Sequence, residues 1–173
     1  MDKNFSVFIT SSALTLLSVE IFHIAIPLTV LSLGYSVVQT SWCSFAFFFP
    51  VILVKLFLSP LVENKEKKTL LLGCEITRSI ITLCFIATLY LIKDSNYTIW
   101  FIILISFLFG LFSTLTEIAE TSALKALLIE KDATPIISKY EIRTRVVQLL
   151  ATTLCGFLYL LIWLNASLSC IPL

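Results

Sequence analysis

Apolar residues run through this chain in long blocks, broken by short polar links. The blocks are continuous rather than alternating, so they predict helices and not the strands of a barrel. Five membrane spans are expected: Phe5 to Leu33, Trp42 to Leu61, Leu70 to Ile92, Thr98 to Leu128 and Val146 to Leu164. Runs of roughly 18–20 apolar residues are what a helix needs to cross a ~30 Å hydrocarbon layer. The first block is too long for the apolar part of a cleaved signal peptide, and no small-residue cleavage site follows it. Pro27 and Pro50 fall inside spans, where a kink is expected. The fold class that follows is all-α, a polytopic transmembrane helix bundle forming a single domain over residues 1–173.

The fourth block is long for its purpose. At 1.5 Å per residue, Thr98 to Leu128 reaches about 46 Å, well beyond the hydrocarbon. Its second half, "STLTEIAETSALKALL", is amphipathic, with Ser113, Glu117, Glu120 and Thr121 on one face and Leu111, Leu115, Ile118 and Ala126 on the other. This pattern predicts a helix that leaves the membrane on its cytoplasmic side or lines a wet cavity.

Composition sharpens the class. Hydrophobic residues make up 58% of the 173 and charged ones 13%, with a mean hydropathy of +1.01; that is too little polar material to clothe a soluble domain of this length. The five cysteines, Cys43, Cys74, Cys84, Cys155 and Cys170, have neither zinc spacing nor the pattern of a disulfide framework. No phosphate-binding glycine loop or nucleophile elbow is present, so neither enzymatic activity nor a cofactor is expected. With 12 basic against 11 acidic side chains, net charge gives no reason to expect nucleic acid as a partner; the lipid bilayer is the expected one.

Where the charges lie is more informative. Lys3 precedes the first span, Lys65, Lys67 and Lys68 lie between the second and third, and Lys125, Lys131, Lys139, Arg143 and Arg145 surround the link from fourth to fifth. Only Lys93 stands on the other side. Basic loops stay in the cytoplasm, which places the amino terminus inside and, after five spans, the carboxyl terminus outside.

Ionisable groups within spans are costly unless paired, and each is a functional candidate. Glu20 and His23 lie one turn apart on the same face of the first helix. They can share a proton, or Glu20 can attract a cationic substrate; alternatively, His23 bonds a neighbouring helix and Glu20 stays neutral. Glu117 and Glu120 are substrate or proton candidates too, or else members of a salt-bridge cluster with Arg143 and Arg145, in which Glu141 and Arg145 form an i,i+4 pair. Lys55, near the inner end of its span, is expected to snorkel to the interface.

Three segments, "IAIPLTVL" with Glu20 before it, "SPLVENKEKKTLLLGCEITRS" and "FLFGLFSTLTEIAETSALKALL", resemble the amino-terminal half of the major facilitator superfamily. The similarity is to its bacterial drug, siderophore and macrolide-efflux exporters. That family carries a cytoplasmic loop G-x-x-x-D-R/K-x-G-R-R/K after its second helix. Here Ser59 stands at the Gly position, Glu63 at the Asp and Asn64 at the next basic residue, and Lys67 and Lys68 form the closing basic pair. An acidic residue and an Arg early in the third helix match Glu75 and Arg78, which at i and i+3 can also pair with each other. In the family the loop latches helix ends in one transport state.

The resemblance implies an inner-membrane exporter driven by an ion gradient, with a small-molecule substrate that the chain does not identify. Family members have twelve helices in two rocking halves. Five helices therefore imply a truncated transporter or an inactive remnant, a half that pairs with a second chain or with its own copy, or a membrane immunity or resistance protein that does not transport. The Gly- and Pro-rich fifth helix of many antiporters is reduced to Gly156 in "ATTLCGF".

Overall fold

The computed structural model describes the backbone of residues 3–58, 67–91, 97–128 and 133–169, with side chains at 10–57, 69–91, 97–124, 138, 140–157, 159 and 160. Among these residues every regular element is helical: α1 (Lys3–Ser32), α2 (Val37–Leu53) continued by a π-helical turn (Val54–Leu58), α3 (Lys67–Leu91), α4 (Thr98–Leu128) and α5 (Ala133–Ser169). Four of them are long and apolar enough to cross a membrane, over Thr10–Ser32, Val37–Phe57, Thr69–Leu91 and Thr98–Leu124. The protein is by this measure membrane-integral. α5 runs through the segment from Val146 to Leu164 that hydropathy marks as the fifth span; its side chains past Leu160 lie outside the described residues.

Two element starts differ from expectation. α2 begins at Val37, five residues before Trp42. Ser36 caps it, its Oγ accepting from the Gln39 backbone N–H at 3.3 Å while Gln39 Oε1 accepts from the Ser36 backbone N–H at 3.0 Å. This reciprocal box satisfies two amide donors that would otherwise be orphaned at a helix start, and such a cap contributes about 1 kcal/mol. Just before it, Gly34 at φ 84° closes α1. Its N–H reaches the Leu31 carbonyl at 3.0 Å, and that of Tyr35 reaches Val30 at 3.4 Å. That pair of bonds requires a left-handed residue between them, which glycine adopts without strain. α5 begins 13 residues before Val146, through the polar stretch "ATPIISKYEIRTR", with Pro135 in its first turn where a missing N–H costs nothing.

The chain divides into two compact units: Met1–Ala25 with Thr134–Leu173, and Ile26–Ala133. In the second, α2 and α3 both pack on α4. The buried positions of α2 are Thr40, Cys43, Ala46, Phe47 and Pro50, with Val54 beyond them; on α3 they are Cys74, Arg78, Ile81, Phe85 and Thr88. Both sets repeat at three- and four-residue steps, the stripe that one helix face presents to a neighbour. Phe47 stacks with Phe109 at 6.2 Å between ring centroids. Gly110 permits the approach of α2 and α4, since a Cβ there would fall on the Phe47 carbonyl oxygen, with the carbonyl carbon at 3.0 Å.

Hydroxyls in this greasy core are satisfied locally. Ser106 donates to the Ile102 carbonyl at 2.7 Å, Thr114 to Gly110 at 2.8 Å and Thr88 to Cys84 at 2.8 Å. Bonding back one turn removes the need for water or a partner helix. The outward faces are apolar: Phe45, Ile52, Leu83 and Leu104 are all exposed, a surface suited to lipid and not to water. Trp42, Tyr90, Tyr97 and Trp100, also exposed, gather where the α1–α2 and α3–α4 connections lie. Amphipathic rings favour the headgroup level in this way.

In the first unit α1 and α5 meet through Ser12 with Arg143, Glu20 with Gln148 and Ile21 with Cys155. Residue numbers rise together along both helices, so the two run parallel.

Candidate functional site

Among the described residues of the second unit, Arg78 is the most buried charge. Its place in the α3 stripe, between Cys74 and Ile81, turns it toward α4 and leaves it 4% exposed. Its Nη2 donates to Glu75 Oε2 at 3.1 Å, the i,i+3 pair that the spacing predicts. On the α4 side the guanidinium lies 5.6 Å from the centre of the Phe109 ring, a distance at which the ring quadrupole attracts a cation. Glu120, one turn beyond Thr116 on α4, is within electrostatic range of the same guanidinium. The Thr116 hydroxyl of α4 donates to the Phe112 carbonyl at 3.0 Å.

This placement corrects the reading of α4. The expected wet face joined Glu117 to Glu120, yet Glu120 is buried at 7% exposure and only Glu117 is open. A helix with two neighbours has two buried faces, and α3 covers the one that carries Glu120. On the apolar side, Ile118 forms a buried cluster with Val54 and Ala119, against which Leu70, Leu71, Leu111 and Leu115 pack; the side chain of Ala126 lies outside the described residues.

Glu117 has a specific partner. Lys55 Nζ, in the π-helical turn, donates to Glu117 Oε1 at 3.0 Å, with both side chains about half exposed. Lys55 therefore reaches across to α4 instead of snorkelling alone. Arg143 and Arg145, offered by the sequence as partners for these carboxylates, belong to the first unit. Arg143 is buried, donates through Nη1 to Ser12 Oγ, and lies 4.3 Å over the Tyr140 ring. Glu141 and Arg145 are both exposed.

In the first unit Gln148 Nε2 donates to Glu20 Oε1 at 3.1 Å. His23, a turn further along α1, is half-buried and senses the Glu20 charge. The Cys155 thiol points to the Ile21 carbonyl at 3.8 Å. Glu20 and His23 do occupy one face, as their spacing implies, and that face is turned to α5. Ser12, Tyr140 and Gln148 were not singled out from the sequence. A stripe of Arg143, Val147, Ala151 and Cys155 at four-residue steps, all buried, was the available sign that this side of α5 is a packing face.

Ser59, Glu63 and Asn64 lie outside the described residues, and Lys67 and Lys68 open α3 without described side chains. Among the described residues no three His, Cys, Asp or Glu side chains form a group that could hold a metal ion, and Cys43, Cys74, Cys84 and Cys155 are free thiols.

Comparison with known proteins found no matching family model, no matching curated protein and no matching solved structure.

Proposed function

We propose that this chain is part of a membrane transporter that exports a small molecule at the expense of an ion gradient, with Glu20 and His23 as the groups that meet the substrate or the coupling proton. The resemblance to the major facilitator exporters, on the segments around Glu20, Glu63 to Arg78 and Phe107 to Leu128, supports this reading. The observation that carries it is the carboxylate of Glu20 inside a membrane-length helix, hydrogen-bonded by the Gln148 amide and with His23 in electrostatic range one turn along. A carboxylate within a membrane span is costly unless it is paired or protonated, so one held by an amide with an imidazole in electrostatic range is suited to a proton or a cationic substrate.

In bacterial cells expressing the protein, ethidium is expected to accumulate several-fold less than in cells without it. Glu20→Ala should return accumulation to the control level while membrane abundance is unchanged. Equal ethidium accumulation in cells carrying the parent protein and in cells carrying Glu20→Ala would remove Glu20 from the mechanism.

The proposal includes an orientation in the inner membrane, with the amino terminus and the basic 62–69 hairpin in the cytoplasm. Alkaline phosphatase inserted in that hairpin should be inactive, whereas insertion at Asn96 in the α3–α4 link should give an active enzyme. Activity in the reverse pattern would invert the topology.

A further inference from the structure

The end of α2 departs from α-helical geometry where it meets α4. Pro50 has no N–H to give, and four residues later the helix widens into the π-helical turn Val54–Leu58. A single π turn within an α-helix is uncommon and concentrates at working parts of proteins. Its consequence is rotational. In a continuous α-helix Lys55 would follow Phe48 and Ile52 at i+7 and i+3, and both of those face outward, 50% and 67% exposed. A turn closed by i→i+5 bonds advances each residue by less than the 100° of an α-helix. Lys55 is thereby drawn back toward the side of Val54, which is 2% exposed and belongs to the cluster with Ile118 and Ala119 on α4. On that side its ammonium meets Glu117 at 3.0 Å.

We propose that the π-helical turn and the Lys55–Glu117 pair form a register latch on α2. With the pair closed, the wide turn is held and Val54 is kept against Ile118. With the pair open, the turn relaxes to an α-helix, and Lys55, Leu56 and Phe57 rotate together about the axis. Two features make this end of α2 able to move separately. The Gly110–Phe47 contact clamps the helix about two turns earlier, and Pro50 leaves the Ala46 carbonyl without its usual helical donor. The latch does not depend on which solute the protein handles.

The test is disulfide formation between Val54→Cys and Ile118→Cys, in protein in lipid vesicles whose native cysteines are replaced by alanine. Closed-latch protein should cross-link at least several-fold faster than Glu117→Gln. The exchange Lys55→Glu with Glu117→Lys should restore the rate, because it rebuilds the pair with its charges swapped. The carbonyl ¹³C shifts of Val54 to Phe57, read by solid-state NMR, should move between two sets along with the cross-linking rate. If Glu117→Gln yields no protein, Lys55→Arg against Lys55→Met makes the same comparison, with fast cross-linking expected only for Arg. Equal rates with and without the pair, or an unchanged carbonyl spectrum, would overturn the latch.

Discussion

Arg78→Met is expected to destabilise the described part of this protein strongly. The guanidinium is 4% exposed, donates to Glu75 and lies within electrostatic range of Glu120. Methionine fills most of the volume but leaves two carboxylates in an apolar helix interface with no cation between them. Removing one partner of a fully buried pair typically costs about 3–5 kcal/mol, because the remaining charge is uncompensated; with the Glu75 side chain 37% exposed, the loss is expected at the low end of that range. For a chain of this size that corresponds to a fall of roughly 6–12 °C or more in melting temperature, measurable in detergent by intrinsic Trp fluorescence. Arg78→Lys keeps the charge but has a single donor group in place of a planar fork, so an intermediate loss is expected. Arg78→Met combined with Glu75→Gln should recover part of the loss. A melting temperature for Arg78→Met within about 2 °C of the parent would mean that the pair is solvated and of little structural weight.

The second large effect is expected at Gly110. The Cβ of Gly110→Ala would land on the Phe47 carbonyl oxygen, and the Phe47 Cα is only 3.2 Å from the same point. Backbone cannot swing aside as a side chain can, so α2 and α4 must separate, and the Phe47–Phe109 stack is lost with them. Overpacking of this kind costs about 1–3 kcal/mol for one methyl group, and Gly110→Leu should prevent the two helices from packing at all. Small residues at helix crossings serve this purpose in membranes, where close van der Waals approach replaces the hydrophobic drive. Gly73→Ala is the matched control. Nothing lies within 4 Å of its Cβ position, and alanine is favoured over glycine within a helix by up to about 1 kcal/mol. Thermal unfolding of the three variants side by side should order them Gly73→Ala, Gly110→Ala, Gly110→Leu from most to least stable. Equal stability of the two alanine variants would show that the helices do not approach as closely as described.

Some of this was legible in the amino acids. Hydropathy alone located α4 at Thr98 to Leu128, the same limits that the fold has. The Glu75–Arg78 pair was readable because residues three apart on a helix are neighbours whatever surrounds them. The early start of α2 was legible in principle, since Ser36 and Gln39 have the spacing of a capping box. Hydropathy missed it because capping belongs to hydrogen bonding and not to transfer into lipid. The polar first turns of α5 escaped for a related reason: a helix that begins outside the apolar layer carries no hydropathy signal.

The side-to-side pairings were not legible. Glu117 and Glu120 are three residues apart and both acidic, yet one pairs with Lys55 in the open and the other is buried near Arg78. Likewise, nothing in α1 names Gln148 as the partner of Glu20.

What the sequence by itself determined is the set of helices and their apolar character, because segment length and the cost of taking peptide groups out of water are properties of the local chain. Only the tertiary structure decided which flank of each helix meets a neighbour, that Gly110 is a contact and Gly73 is not, and that Lys55 turns to Glu117. Those outcomes depend on the rotation of one helix about its axis relative to the next, and that angle is set by packing between residues far apart in the chain.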